Sequence, residues 1–207
     1  MRPAIRSSVL AVCATGIEAW GVRRRAPGVR VVQVGVGGAA PADGAPIVIS
    51  AGLCGGLMPD QRPGTVVVAS TVADEAGTLH TCDPGVVASL RHAAEGLGLP
   101  VATGAVVTTR AMVTSADRAA WAARGLIAVD MESSRAAAGG GRFGVLRVIL
   151  DAPRHELSPD WANPARAIRH PSNWVDAVWL AISGPRYALR AGAVLAAAVF
   201  SDVDAEV

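Results

Sequence analysis

Short apolar runs rich in valine, many ending in glycine or an acidic residue, limit what this chain can fold into. Val9–Cys13, Val29–Val36, Ile47–Ser50, Thr65–Ser70, Val101–Thr108, Ile127–Val129 and Val145–Leu150 each have the length and β-branched content of a buried strand. Between them, Pro84 to Gly96 repeats apolar residues at helical spacing (Val87, Leu90, Ala94), and Ala116–Arg124 reads as a helix capped by Ser115. A further helix begins over Ser133–Ala138. Strands alternating with helices predict an α/β fold, a single-domain three-layer α/β/α sandwich around a twisted mixed sheet. Residues 1–155 form its core. Residues 156–207 form an apolar helical extension packed on that core.

The remaining patterns exclude more than they assign. A chain of 207 residues can bury a substantial core in one domain. All 19 basic residues are arginine, the net charge is +2, and Arg23–Arg25 is the longest basic run, without the interleaved aromatics of a nucleic-acid surface. Cys13, Cys54 and Cys82 lack CxxC spacing and the four histidines are scattered, so neither a disulfide framework nor a zinc site is expected. Arg2 and Arg6 precede Val9–Ala14, a run too short for a signal-peptide core, and Val12 before Cys13 does not suit a lipoprotein cleavage site. A reducing cytoplasm is the expected location. Residues 153–171 read as a Pro-rich loop, and Trp174–Phe200 as two helices broken by charges and Pro185. Those helices either pack on the domain or lie at a lipid surface, since both share one pattern.

Three acids fall at predicted strand ends: Glu18 after the first strand, Glu132 after the sixth and Asp151 after the last. Ligands of open α/β sheets collect outside the carboxyl ends of strands, so acids from distant segments can meet there. Each alone also suits a helix start, where the macrodipole favours a carboxylate. A glycine-rich turn is expected at Gly52–Gly56.

These segments resemble a family. SAGLCGGL at 50–57 followed by RPGTVVV at 62–68, VDMES at 129–133 and LRVILD at 146–151 are similar, in this order, to motifs of the nucleoside phosphorylase/nucleosidase superfamily. TGIEA at 15–19 stands where the hydrolytic members, such as methylthioadenosine/S-adenosylhomocysteine nucleosidases, carry a water-activating glutamate. The resemblance implies cleavage of an adenine nucleoside's N-glycosidic bond without a cofactor. Asp151 would be the general acid toward N7 and Glu18 the group that activates water. Glu132 would hold the ribose hydroxyls, Met131 would lie against the sugar, Met112 and Val113 would flank the purine, and Gly52 of the glycine turn would be a further substrate-binding residue. Ser50 and Leu53 stand where phosphorylases place groups for phosphate, which favours water as nucleophile. The stretch DAPRHEL at 151–157 and the apolar tail are similar to hopanoid-associated phosphorylase-like nucleosidases, implying an adenosylhopane substrate and an apolar exit that Trp161, Trp174 and Trp179 could line; peripheral membrane contact through the tail and a homodimer are further expectations.

Two departures from the family pattern stand out. Leu150 replaces a small hydroxyl residue, and Pro41, Gly44 and Pro46 leave only a loop between Gly38 and Ile47 where a helix is usual. A phosphate-dependent phosphorylase and a non-catalytic nucleoside or lipid binder remain alternatives. A dinucleotide site at Gly35–Ala40 is disfavoured, because Pro41 and Gly44 block the helix that must follow. No G-x-S-x-G elbow is present for a serine hydrolase.

Overall fold

A computed structural model describes residues 8–40, 44–139, 141–162 and 164–200. The strands are β1 (Val9–Cys13), β2 (Arg30–Gln33), β3 (Ile47–Gly56), β4 (Val66–Asp74), β5 (Leu79–Thr81), β6 (Val101–Thr108), β7 (Leu126–Asp130) and β8 (Arg142–Asp151). The α-helices are α1 (Gly16–Arg25), α2 (Pro84–Gly96), α3 (Ser115–Ala123), α4 (Ser133–Ala136), α5 (Pro164–Ala167) and α6 (Trp174–Ala197). The fold is mixed α/β, as expected.

The sheet is mixed and partly closes on itself. β1 runs parallel to β2 and β3. β3 then pairs with β8, β8 with β4, β4 with β6, β6 with β7, and β7 returns to β3, completing a circuit. The closing contact is short: Gly55 pairs with Val129 and Gly56 with Ala128. Because side chains alternate along a strand, the sheet serves two cores. Val9, Ala11, Ile47, Ile49, Val66, Val68, Leu146 and Val148 pack under α1, α2 and α6. Val48, Cys54, Val67, Val72, Val106, Ala128, Val145 and Ile149 fill the other side, with Ala136 of α4.

Local chemistry sets the helix ends. Asp83 caps α2 by accepting from the Val86 N–H at 2.8 Å, with Pro84 next in the chain. α1 begins with a capping box, Thr15 and Glu18 each accepting from the other's backbone N–H.

Three local expectations are corrected. Thr114, not Ser115, is the residue preceding α3, and it makes no side-chain cap hydrogen bond; its hydroxyl turns to Asp117 instead. The tail forms one helix rather than two. Pro185 lies within α6 and removes one backbone donor, yet the following turns stay helical because Tyr187, Ala191, Val194 and Leu195 are buried in the core. Residues 52–56 are extended strand, not a turn. Their glycines do not adopt positive φ; they allow close approach, since a side chain at Gly52 would overlap Glu18 Oε1 and sit 2.7 Å from Arg147 Nη1. No helix occurs over 34–40 or 44–46, while Pro41 lies outside the described residues.

Candidate active site

Where the strands of the closed circuit end, a cavity of about 190 Å³ opens. Its wall includes Glu18, Glu132 and Asp151, together with Met131, Met112 and Val113. Acids from α1, the β7–α4 junction and the end of β8 therefore face one space. Gly52 does not line it but stands behind Glu18. Trp161, Trp174 and Trp179 do not line it either. Trp179 packs against His155 at 4.2 Å between ring centres, and Trp174 is 59% exposed with its ring N–H donating to the Ile168 carbonyl. The tryptophan-lined exit is therefore corrected: among the described residues of the tail, Leu157, from the loop after β8, reaches the cavity.

Glu18 is held by backbone. The Leu53 N–H donates to Oε1 at 2.7 Å, and the Thr15 N–H and hydroxyl donate to Oε2 at 2.7 and 2.8 Å. The carboxylate both caps α1 and presents itself to the cavity. Glu132 Oε1 accepts from the Gly37 N–H at 3.1 Å, so the loop after β2 supports this acid. Burial pushes the Glu132 carboxyl above its usual range, against the pull of Arg147.

Arg147 is the organising cation that sequence reading did not assign. It is completely buried within β8. Its Nε meets Asp130 Oδ2 at 2.9 Å, and its Nη2 donates to Ser50 Oγ at 2.7 Å and Ser133 Oγ at 3.0 Å and lies 3.5 Å from Glu132 Oε2. Burial would lower its pKa, but Asp130, Glu132 and Glu18 raise it further, so the charge is secure. Asp130 also accepts from the Thr108 hydroxyl at 2.8 Å and the Ser133 N–H at 3.1 Å, which fixes the turn carrying Glu132. The glycine segment around Ser50 is thus not without a cation, as its own residues had suggested. An arginine in an otherwise apolar strand was the available signal, because such a group is buried only with partners.

Asp151 forms an ion pair with Arg118 of α3. Burial pushes the Asp151 carboxyl above its usual range, while Arg118 draws it back. Nothing in the sequence of α3 marks Arg118 as buried. Among the described residues, no group of three His, Cys, Asp or Glu could hold a metal ion. Cys13, Cys54 and Cys82 are buried free thiols, and burial pushes Cys13 and Cys82 up to about 12.

A family model described as the phosphorylase superfamily matches residues 29–165, two thirds of the sequence. The chain belongs to the phosphorylase superfamily. The matched range holds Glu132, Arg147 and Asp151, whereas Glu18 lies before it. Solved members of this fold are similar throughout. A methylthioadenosine/S-adenosylhomocysteine nucleosidase from Neisseria meningitidis, in complex with methylthio-immucillin-A, superposes with a TM-score of 0.69 at 16% identity, covering 91% of this chain and 96% of that one. The corresponding Helicobacter pylori nucleosidase gives 0.66 at 12%, covering 90% and 95%. Futalosine hydrolase from H. pylori gives 0.66 at 12%, covering 90% and 94%. No curated protein sequence matches the chain. At such identities these likenesses establish a shared fold.

Proposed function

We propose that this superfamily member hydrolyses the N-glycosidic bond of an adenine nucleoside. The observation that carries the reading is the convergence of Glu18, Glu132 and Asp151 on one cavity. Asp151 protonates N7, so the base leaves neutral. Glu132 accepts hydrogen bonds from the ribose hydroxyls while the sugar becomes cationic, and Glu18 takes a proton from the attacking water. Met131 packs on the sugar, and Met112 and Val113 flank the base.

Local charge favours water over phosphate. Arg147 lies at the glycine segment, but Asp130, Glu132 and Glu18 surround it. A phosphate dianion would meet a net negative wall there, whereas neutral water would not. The nucleosidase neighbours, solved with nucleoside analogues, point the same way.

For the 5′ substituent the reading is a lipid, as in adenosylhopane. Val36, Leu53 and Leu157 add apolar wall to the cavity. The loop bearing Leu157 is tied to α6 through the Ser158 N–H and Asp176, at 3.0 Å. The outer face of α6 exposes Trp174, Val175, Val178 and Ile182 near exposed Arg169 and Arg186, a composition suited to contact with an anionic bilayer. No helix among the described residues is long and apolar enough to cross a membrane.

The test is adenine release by purified protein from adenosine, methylthioadenosine and a long-chain 5′-adenosyl lipid, with and without phosphate. Release without phosphate, lost in Asp151→Asn while binding persists, is the expected result. Phosphate-dependent turnover would overturn hydrolysis. Turnover of methylthioadenosine but not of the lipid would overturn the lipid reading alone.

A further inference from the structure

The reaction above gives no role to Arg118, the cation of the cavity wall. Arg118 is the sole fully buried residue of α3, at 4% exposure, while Trp121 and Ala122 of the same helix pack partly buried on the core. Nη2 meets Asp151 Oδ2, and Nη1 donates to the Gly56 carbonyl at 2.6 Å. Nε is buried without a hydrogen bond and faces Glu156 Oε1 at 3.4 Å. Glu156 is in turn gripped by the Ser115 hydroxyl, from the start of the same helix. One guanidinium is therefore shared between a deeply buried carboxylate and a more exposed one, whose side chain is 28% exposed.

That sharing bears on the leaving-group proton. While Asp151 serves as counter-ion it has no proton to give, and once protonated it no longer neutralises Arg118. A buried cation stripped of its partner is strongly disfavoured. Glu156 already stands beside the unused edge of the guanidinium and can take over.

We propose that Arg118 is a positioning residue that trades carboxylate partners, holding Asp151 in the empty cavity and passing to Glu156 when Asp151 takes up the proton it gives to the base. The inference rests on the nucleosidase reading. The proton balance closes. A solvent proton binds Asp151 and moves to N7 as the C–N bond breaks, and Asp151 returns to Arg118 as a carboxylate. The attacking water forms the new C–O bond and gives its proton to Glu18, which returns it to solvent.

The groups facing Asp151 are Arg118 from α3, Glu156 and the Leu157 backbone N–H from the loop after β8, and Cys54 of β3, a thiol that burial keeps neutral. Charge changes at Arg118 and Glu156 should therefore act in opposite directions. A purely structural role would not produce that.

The experiment compares pH profiles of kcat/KM for the wild type, Arg118→Met, Arg118→Lys and Glu156→Gln. The alkaline limb reports loss of the acid's proton. It should rise by about one pH unit or more in Arg118→Met, the size expected for losing an adjacent opposite charge. It should fall in Glu156→Gln and stay near wild type in Arg118→Lys. Limbs that coincide in all four proteins, with only the amplitude changed, would overturn the proposal. If Arg118→Met does not fold, Glu156→Gln, at a partly exposed site, still carries the downward shift. A ¹³C NMR titration of the Asp151 carboxyl in substrate-free protein, assigned with Asp151→Asn, reads the same displacements without turnover. Displaced titrations in a protein that releases no base would sink the nucleosidase reading and leave the partner trade standing. Coincident titrations would sink the trade alone.

Discussion

Arg147 Nη2 lies 3.5 Å from Glu132 Oε2, with the arginine wholly buried and the glutamate side chain 7% exposed. The same guanidinium pairs with Asp130, so a single cation offsets two acids inside the sheet. Removing it leaves those acids uncompensated. Arg147→Met should destabilise the protein by about 3–5 kcal/mol, the usual consequence of breaking a buried pair from one side. Arg147→Lys should lose less, since it keeps the charge and forgoes the forked geometry. Urea unfolding monitored by circular dichroism measures both.

Gly52→Ala tests whether the glycine segment exists to make room for Glu18. A β-carbon there would press on the Glu18 carboxylate, which is itself fastened to the Leu53 N–H. Misplacing a reacting group by about 1 Å can cost roughly 10²-fold in rate. The expected result is a kcat loss of about that size with the far-ultraviolet spectrum retained. Unchanged kcat would remove Glu18 from the reaction.

Glu132→Gln separates function from stability. Its carboxyl sits above the ordinary range because burial outweighs the attraction of Arg147. A raised carboxyl stabilises the fold fully below the unfolded-state pKa of about 4.3, and that advantage is lost as pH rises through the folded-state value. The wild type should therefore lose stability relative to Glu132→Gln between acid and neutral pH. Denaturation midpoints at pH 4 and pH 8 test the sign. Substrate binding should move the other way, with KM up by about 10- to 100-fold for the loss of charged hydrogen bonds to the ribose.

Asp151→Asn should lower kcat by about 10²- to 10⁴-fold, the range of a general acid, while an adenine nucleoside still binds. The comparison is single-turnover base release beside equilibrium dialysis. Equal turnover in the two proteins would leave the base without an acid.

Much of the fold was legible in the residues. Val9–Cys13, Pro84–Gly96 and Val101–Thr108 end where the sequence places them, because apolar runs bounded by Thr15, Asp83 or Pro100 leave little choice. The three acids were legible as a set since each follows a strand. The tail and the glycine segment were not. Pro185 and Gly52–Gly56 look like punctuation when read locally, and only the packing of α6 and the nearness of Glu18 give them other uses. Arg118 and Arg147 escaped for a related reason. Their partners lie 33 and 17 residues away along the chain, so even at Arg147, where an apolar strand marks burial, local pattern does not say which carboxylate receives the charge.

The circuit of five strands is fastened at one seam by just two residue pairs, Gly55 with Val129 and Gly56 with Ala128, and Gly55 and Val129 both border the cavity. A cylinder of staves parts first where its hoop is thinnest, so the seam should breathe at less cost than the long β3–β8 join. Its amides should exchange with deuterium ahead of the other staves. Parting there would widen the cavity wall at Gly55 and Val129 while the rest of the barrel stays shut.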